Sequence, residues 1–287
     1  MPDPNKLLVT LRRATELFRT TPGREGSVIH LRDAEDVFVV GDLHGHISTF
    51  AGFLKVADLD RHPRRHLVLQ ELVHDSRANP DEDIPDLSHR LVDLAAALKC
   101  KYPDRVHFIL GNHELSELSG RSIAKAGFHI SQLYRDGVAQ SYGKLAPLVY
   151  HEYLELFREL PLAVRTENRV YMIHTIPDED RLEGLELDRL KTHDWPHEAY
   201  ERRGTVYSLV WGRDAQLETA ARFAEMVDAD WFVIGHHPCE EGFRRLNDRV
   251  LVLDATDPNP CACLFSASGT ISLETLVAGV KPLPLPE

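Results

Sequence analysis

Cysteine is scarce in this 287-residue chain: Cys100, Cys239, Cys261 and Cys263 are its only four, which gives no disulfide framework at this length. Cys261 and Cys263 alternate with Ala262 and Leu264, a pattern that predicts buried strand thiols. The chain has no Lys/Arg tract, and its 33 basic and 45 acidic side chains leave a formal charge of −12. That balance argues against a sequence-independent grip on nucleic acid or anionic lipid. No apolar run reaches the length of a membrane helix, and Met1–Thr20 carries no signal-peptide pattern. Repeats and low-complexity segments are absent as well. A cytoplasmic globular protein is the expectation. Histidine is plentiful by contrast, with 16 residues, and their placement is informative.

The apolar spacing of Leu7, Leu8, Leu11, Leu17 and Phe18 predicts an N-terminal helix over 5–20, stopped by Pro22-Gly23. Short β-rich runs then alternate with amphipathic stretches. The runs are Val37–Val40, His66–Leu69, Val106–Leu110, Val170–Ile173 and Trp231–Ile234. Helical patterns fall at Ile47–Ala57, Asp86–Lys99, Pro147–Leu160 and Ala215–Val227. Such alternation predicts an α/β fold with buried, largely parallel strands. Toward the end, Phe243–Leu246, Val250–Leu253, Ala262–Phe265 and Ile271–Glu274 follow at turn spacing and predict antiparallel strands. The expected architecture is two mixed β-sheets packed as a sandwich with flanking helices. Gly120–Gly143 and Asp180–Gly204 read as loops or short helical excursions. No stretch reads as an interdomain linker, so one domain is expected over 1–287, with its core at about 36–275.

Five apolar runs lead into residues that bind metals or move protons. Val37–Val40 precedes Gly41-Asp42-Leu43-His44-Gly45-His46, and His66–Leu69 precedes Gln70-Glu71-Leu72-Val73-His74-Asp75. The others lead into Gly111-Asn112-His113-Glu114, His174 and Gly235-His236-His237. Ligands of α/β sheets bind beyond the carboxyl ends of the strands, so residues distant in sequence are expected to converge there. Carboxylate and amide oxygens mixed with imidazoles suit Mn, Fe or Zn better than Ca or Mg. Two such ions about 3.5–4 Å apart can share a hydroxide and hold both oxygens of an in-line displacement at phosphorus. Glycines at 41, 45, 111 and 235 fit turns that bring backbone close to the ions.

Gly41-Asp42-Leu43-His44-Gly45, Gly111-Asn112-His113-Glu114, His174 and Gly235-His236 resemble the calcineurin-like metallophosphoesterase superfamily. Trp211-Gly212-Arg213-Asp214 and the stretch from Gly235 to Phe243 are most similar to its serine/threonine phosphoprotein phosphatase branch, particularly the bacterial members. The resemblance implies that Asp42 and His44 hold one ion, that Asn112, His174 and His236 hold a second, and that Glu71 bridges them. His113 is then the general acid and Arg213 a phosphate-binding arginine. The family's second signature, Gly-Asp-x-x-Asp-Arg-Gly, aligns with Gln70-Glu71-Leu72-Val73-His74-Asp75-Ser76, where every signature residue has changed. Glu71 keeps the bridging charge on a longer arm. His74 replaces the carboxylate that orients the acid, and Asp75 replaces a phosphate-gripping arginine with a like charge. Asp75 could turn inward and partner His113 instead.

The resemblance therefore implies a metal-dependent phosphoester hydrolase, in which a metal-activated hydroxide attacks phosphorus and His113 protonates the leaving oxygen. The alternative is a catalytically impaired relative that binds a metal or a phosphorylated ligand. Expected cofactors are two divalent ions, Mn first and Fe or Zn next, or a single ion if Glu71 does not bridge. The expected partner is a phosphorylated small molecule or a phosphoprotein, not nucleic acid or membrane. His46 and His237 are expected behind the ligands as hydrogen-bonding supports, and Glu114 as a brace for the helix after Asn112. His193, Trp195 and His197 are expected to pack a loop.

Overall fold

The computed structural model describes residues 3–283 apart from 122, 126 and 127. Among the described residues two large sheets face each other. The seven-stranded sheet runs in the order Arg24–Glu25, Val28–Leu31, Ala163–Thr166, Val170–Ile173, Trp231–Ile234, Val250–Leu253, Phe243–Asn247. The five-stranded sheet runs Val280–Pro282, Cys261–Ser266, Asp36–Val40, Arg65–Leu69, Val106–Phe108. Both are mixed. Asp36–Val40, Arg65–Leu69 and Val106–Phe108 are parallel, whereas Cys261–Ser266 runs antiparallel to Asp36–Val40.

The side-chain period explains the layering. Val37 and Val39 join Val170, Met172, Val233, Leu251 and Leu253 in an apolar core shared by the two sheets. Their neighbours Phe38, Val40, Tyr171, Ile173, Phe232, Ile234 and Val252 point the other way, into the core beneath the helices. Successive strand residues face opposite sides. Strands buried on both sides therefore read as unbroken apolar runs. Cys261 and Cys263 are buried in their strand, as the alternation predicts.

Two elements differ from expectation. Ile271–Glu274 is not a strand: Ser272 caps the helix Leu273–Ala278, its hydroxyl accepting from the Thr275 N–H at 3.2 Å. Gly120–Gly143 is not loop throughout, because Ile130–Tyr142 is a helix that buries Tyr134, Val138 and Tyr142 at four-residue spacing. Gly137 inside it weakens the helical signal. A Cβ there would meet the Asp86 carbonyl oxygen at 1.7 Å, so close packing requires the glycine.

Helix Pro4–Arg19 lies against helices His89–Lys101 and Ala146–Arg158. Beneath it, buried Lys99 donates to Thr21 Oγ1, the Pro103 carbonyl and the Val106 carbonyl at 2.8, 2.5 and 3.0 Å. Burial, with the Arg24 charge assisting, still pushes its amine down to about 7. The unfolded chain, with its normal amine, holds this proton up to about pH 10, so it binds more protons than the native state above neutrality. Stability then rises with pH over that interval. Relative to Lys99→Met, the wild type is expected to gain about 2–5 kcal/mol between pH 7 and 10, read by denaturant melts of both proteins. A difference that stays constant with pH would remove this assignment.

Candidate metal centre

Strands from both sheets end at one edge, and five strand-end segments meet there. The backbone is forced into unusual shapes: His44, Glu71, His74 and His236 all take positive φ, at 38, 49, 64 and 64°. Such conformations cost energy in residues other than glycine and persist where the surroundings over-determine them. At Glu71 the peptide carbonyl accepts from the Leu43 and His44 N–H groups at 3.0 and 2.9 Å. That lock on the neighbouring loop leaves the carboxylate free to enter the site. Gly235 permits the closest approach, since a Cβ there would lie 2.0 Å from Asp42 Oδ1.

Glu71 lies at the centre of the geometry. Its Oε1 accepts from the His113 N–H at 2.9 Å, and its Oε2 lies 2.6 Å from His174 Nε2. The Asn112 side-chain oxygen meets His174 Nε2 at 2.8 Å and His236 Nδ1 at 2.7 Å. Two groups have ligand atoms close enough to share an ion: His44 with Glu71 and His113, and Glu71 with His174 and His236. Asp42 borders the second group, its Oδ2 accepting from the His236 N–H at 2.7 Å and its Oδ1 lying 3.9 Å from His174 Nδ1. Asp42 Oδ1 is buried with no hydrogen-bond partner among the described residues. An orphaned carboxylate oxygen beside converging imidazole nitrogens fits a divalent cation, because buried charge otherwise goes unmatched. The donor set is oxygen and imidazole nitrogen without thiolate, the chemistry of Mn, Fe or Zn.

The charges agree with that fit. Burial, then the Glu71 and Asp254 carboxylates, hold Asp42 well above the usual carboxylate range. Burial works the same way on Glu71, but the imidazoles of His174 and His113 prevail and hold it well below. Burial holds His113 well below an ordinary histidine, against the pull of Glu71. Burial and the Glu71 charge push Glu114 up to about 8. Glu114 Oε1 accepts from the Leu72 and Val73 N–H groups at 2.8 and 3.2 Å, so it braces the altered second motif rather than only its own helix.

That motif folds unlike the inward turn of Asp75. Asp75 does not reach His113; Arg77 holds its carboxylate at 2.8 Å. His74 takes the place instead, its Nδ1 lying 2.8 Å from His113 Nδ1 and its Nε2 2.9 Å from Glu117 Oε1. Gln70 fills the space of the missing glycine and turns inward, with Oε1 3.2 Å from His174 Nδ1. No sequence motif marks Glu117; four residues after His113 on one helix, it shares that residue's face. Asp254, a sixth strand-end residue, lines the cleft but is occupied by the Cys239 and Thr256 N–H groups at 3.0 and 2.9 Å. It follows an apolar run as the candidate ligands do, which is the signal that could have found it.

The cleft holds about 310 Å³ and is lined by Asp42, His44, Glu71, Asn112, His113 and His236, with Trp211 and Arg213 on its wall. Arg213 donates to the His236 carbonyl at 3.2 Å, while Arg121 lies over the Tyr207 ring and beside Glu201. His46 Nε2 lies 3.1 Å from Ser76 Oγ, a support beneath the loop. Among the described residues His237 Nε2 has no hydrogen-bond partner. His193 and Trp195 share the Ser27 hydroxyl at 2.7 and 2.9 Å and pack their loop. Among the described residues no helix is long and apolar enough to cross a membrane.

Known proteins resemble this chain in sequence and fold. A probable serine/threonine-protein phosphatase of Encephalitozoon cuniculi is 26% identical over 237 residues, covering 76% of this chain and 46% of its own length. The chain thus spans about half of that relative. The serine/threonine-protein phosphatase 4 catalytic subunit of Kluyveromyces lactis is 26% identical over 258 residues, 83% of this chain and 73% of its own. Among solved structures, a protein serine/threonine phosphatase from Saccharomyces cerevisiae superposes with a TM-score of 0.74 at 14% identity, covering 100% of this chain and 91% of the other. A cold-active protein-tyrosine phosphatase of a Shewanella species superposes at 0.56 with 14% identity, over 94% and 84%. These likenesses show the fold. Residues 36–248, which contain every strand end that feeds the cleft except that of Asp254, match the calcineurin-like phosphoesterase profile, and the chain belongs to that family.

Proposed function

We propose that this protein is a metal-dependent phosphoester hydrolase in which His113 protonates the leaving oxygen. The observation that carries the reading is the position of Glu71, the one residue shared by both groups of potential ligands. Asp42 and His44 would hold one divalent ion, Asn112, His174 and His236 a second, and Glu71 both. Bound divalent ions supply positive charge that acidifies a water and polarises the phosphoryl oxygens. The protein does the rest. Glu71 holds the His113 backbone N–H, and His74 holds its ring. Arg213 lies on the cleft wall, and its guanidinium would grip phosphate oxygens there. A water oxygen would form the new bond to phosphorus and lose its proton to solvent as the bond to the leaving oxygen breaks. That bond's electron pair goes to the leaving oxygen, which takes a proton from His113, and solvent later restores the His113 proton. Supporting the substrate class, the relatives named above are protein phosphatases, and the cleft suits a phosphorylated loop or a small phosphoester. Mn is the first-choice ion and the cytoplasm the expected compartment.

A second reading, metal or phospho-ligand binding without turnover, is favoured by Asp75, which stands where the family carries an arginine and is itself held by Arg77, so the second motif offers no cation to a phosphate. Hydrolysis of 4-nitrophenyl phosphate separates the two. With Mn²⁺ present, turnover is expected, lost on chelation and restored by Mn²⁺, and lowered at least about 10³-fold by Asp42→Asn. A rate indifferent to chelation and to Asp42→Asn would sink the hydrolase reading. Binding of Mn²⁺ with no turnover would favour the second.

A further inference from the structure

The family signature places a carboxylate next to the catalytic imidazole, and this chain has a histidine there. The carboxylate has not vanished; it stands one ring farther back. Glu117 Oε1 lies 2.9 Å from His74 Nε2, and the two side chains are each about 1% exposed. Glu117 Oε2 accepts from the Tyr150 hydroxyl at 2.7 Å. The His74 peptide N–H donates to Ser88 Oγ at 2.9 Å, and Tyr134 packs edge-on to the His74 ring at 5.6 Å.

Directionality follows from donor chemistry. An ionised carboxylate only accepts, and a neutral imidazole has one donor and one acceptor. Burial works to raise the Glu117 carboxyl, but the His74 hydrogen bond prevails and holds it below the usual range, in keeping with the two contacts its oxygens make, to His74 and to the Tyr150 hydroxyl. As a neutral imidazole, His74 therefore carries its proton on Nε2, facing Glu117, and its Nδ1 is an acceptor. The atom 2.8 Å from that Nδ1 is Nδ1 of His113, which must then be the donor. Only Nε2 of His113 remains, and His113 lines the cleft.

We propose that Glu117, acting through His74, is a positioning residue for His113: it sets the His74 tautomer, which holds the His113 Nδ1–H and turns its Nε2 toward the cleft. The inference rests on the hydrolase reading for its kinetic consequence, though not for its tautomer order. It also explains how a sequence without the signature carboxylate retains an oriented acid. An imidazole in contact stabilises the His113 cation less than a carboxylate would, and the Glu117 charge acts from beyond it.

Two measurements test it. In the chelator-treated wild type, nitrogen-15 imidazole spectra, assigned with His74→Gln and His113→Gln, are expected to show His74 protonated on Nε2 and His113 on Nδ1. Either residue with the opposite tautomer overturns the inference, whatever the activity. Glu117→Gln is then compared on phenyl phosphate, whose leaving oxygen needs a proton, and 2,4-dinitrophenyl phosphate, whose leaving oxygen does not. The expected loss in kcat is about 10–100-fold on the first and at most about 3-fold on the second, with unchanged Mn²⁺ content. In the double variant His74→Asp with Glu117→Gln, a carboxylate faces His113 directly, and the loss on phenyl phosphate is expected to be recovered. Equal losses on both esters, or a double variant no better than Glu117→Gln, overturns the proposal. A wild type that hydrolyses neither ester overturns the hydrolase reading instead, and the spectra still decide the tautomer order.

Discussion

Replacing His113 with glutamine is expected to lower kcat for phenyl phosphate by about 10²–10⁴-fold, the usual contribution of a positioned general acid. Burial makes the His113 ring a weak base in the ion-free protein. A dianionic phosphoester brings opposite charge to the same cleft and favours the imidazolium, so the proton is held when there is an oxygen to receive it. Glutamine keeps the peptide N–H that donates to Glu71 and removes only the ring. The Mn²⁺ content is therefore expected to be unchanged, and the loss should shrink to about 10-fold or less on 2,4-dinitrophenyl phosphate. Steady-state kinetics on the two esters check this. A loss that is the same for both would move His113 from proton donor to structural support.

Glu71→Gln is expected to be the most damaging substitution in the metal centre. The change is nearly isosteric and retains an acceptor for the His113 N–H. What disappears is the negative charge shared between the two groups of potential ligands. Elemental analysis after desalting is expected to show two Mn²⁺ ions per wild-type chain and one or none in the variant, with turnover down at least about 10³-fold. Thermal melts give a reading free of activity. Mn²⁺ at a hundred times its dissociation constant should stabilise the wild type by about 2.7 kcal/mol per site, and the variant by clearly less. A variant that still binds two ions would show that Glu71 does not bridge, and the centre would have to be assigned without it.

The two substitutions concern the motifs that were easiest and hardest to read. Gly111-Asn112-His113-Glu114 and Gly41-Asp42-Leu43-His44-Gly45 each follow an apolar run, and both stand at strand ends in the structure. Linear sequence carries this information, because period and turn residues mark where a strand stops. Gln70–Ser76 was harder. Period 2 fails in a loop that holds two positive-φ residues, Glu71 and His74. Whether Asp75 or His74 faces His113 depends on those dihedrals and not on residue type.

Helix Ile130–Tyr142 shows the same limit. Gly137 weakens the local helical preference, and only contact with the Asp86 carbonyl explains why glycine stands there. At Ile271–Glu274 the alternation was real, but the Ser272 cap outweighed it.

By itself, the sequence determined two buried mixed sheets with flanking helices, the strand ends that carry Asp42, Glu71, Asn112, His174 and His236, and the oxygen-and-imidazole donor set. Local periodicity and residue chemistry encode these features. Only the tertiary structure decided that Glu71 reaches both groups of potential ligands, that Arg77 takes Asp75 away from the site, and that His74 and Glu117 stand behind His113. Each of those depends on where a side chain points after the chain has turned through left-handed backbone, and on which distant atom lies within about 3 Å, the reach of a hydrogen bond. A hydrogen-bond chain from residue 113 to 74 to 117 crosses a gap of some forty residues twice. Nothing local in the sequence specifies that crossing.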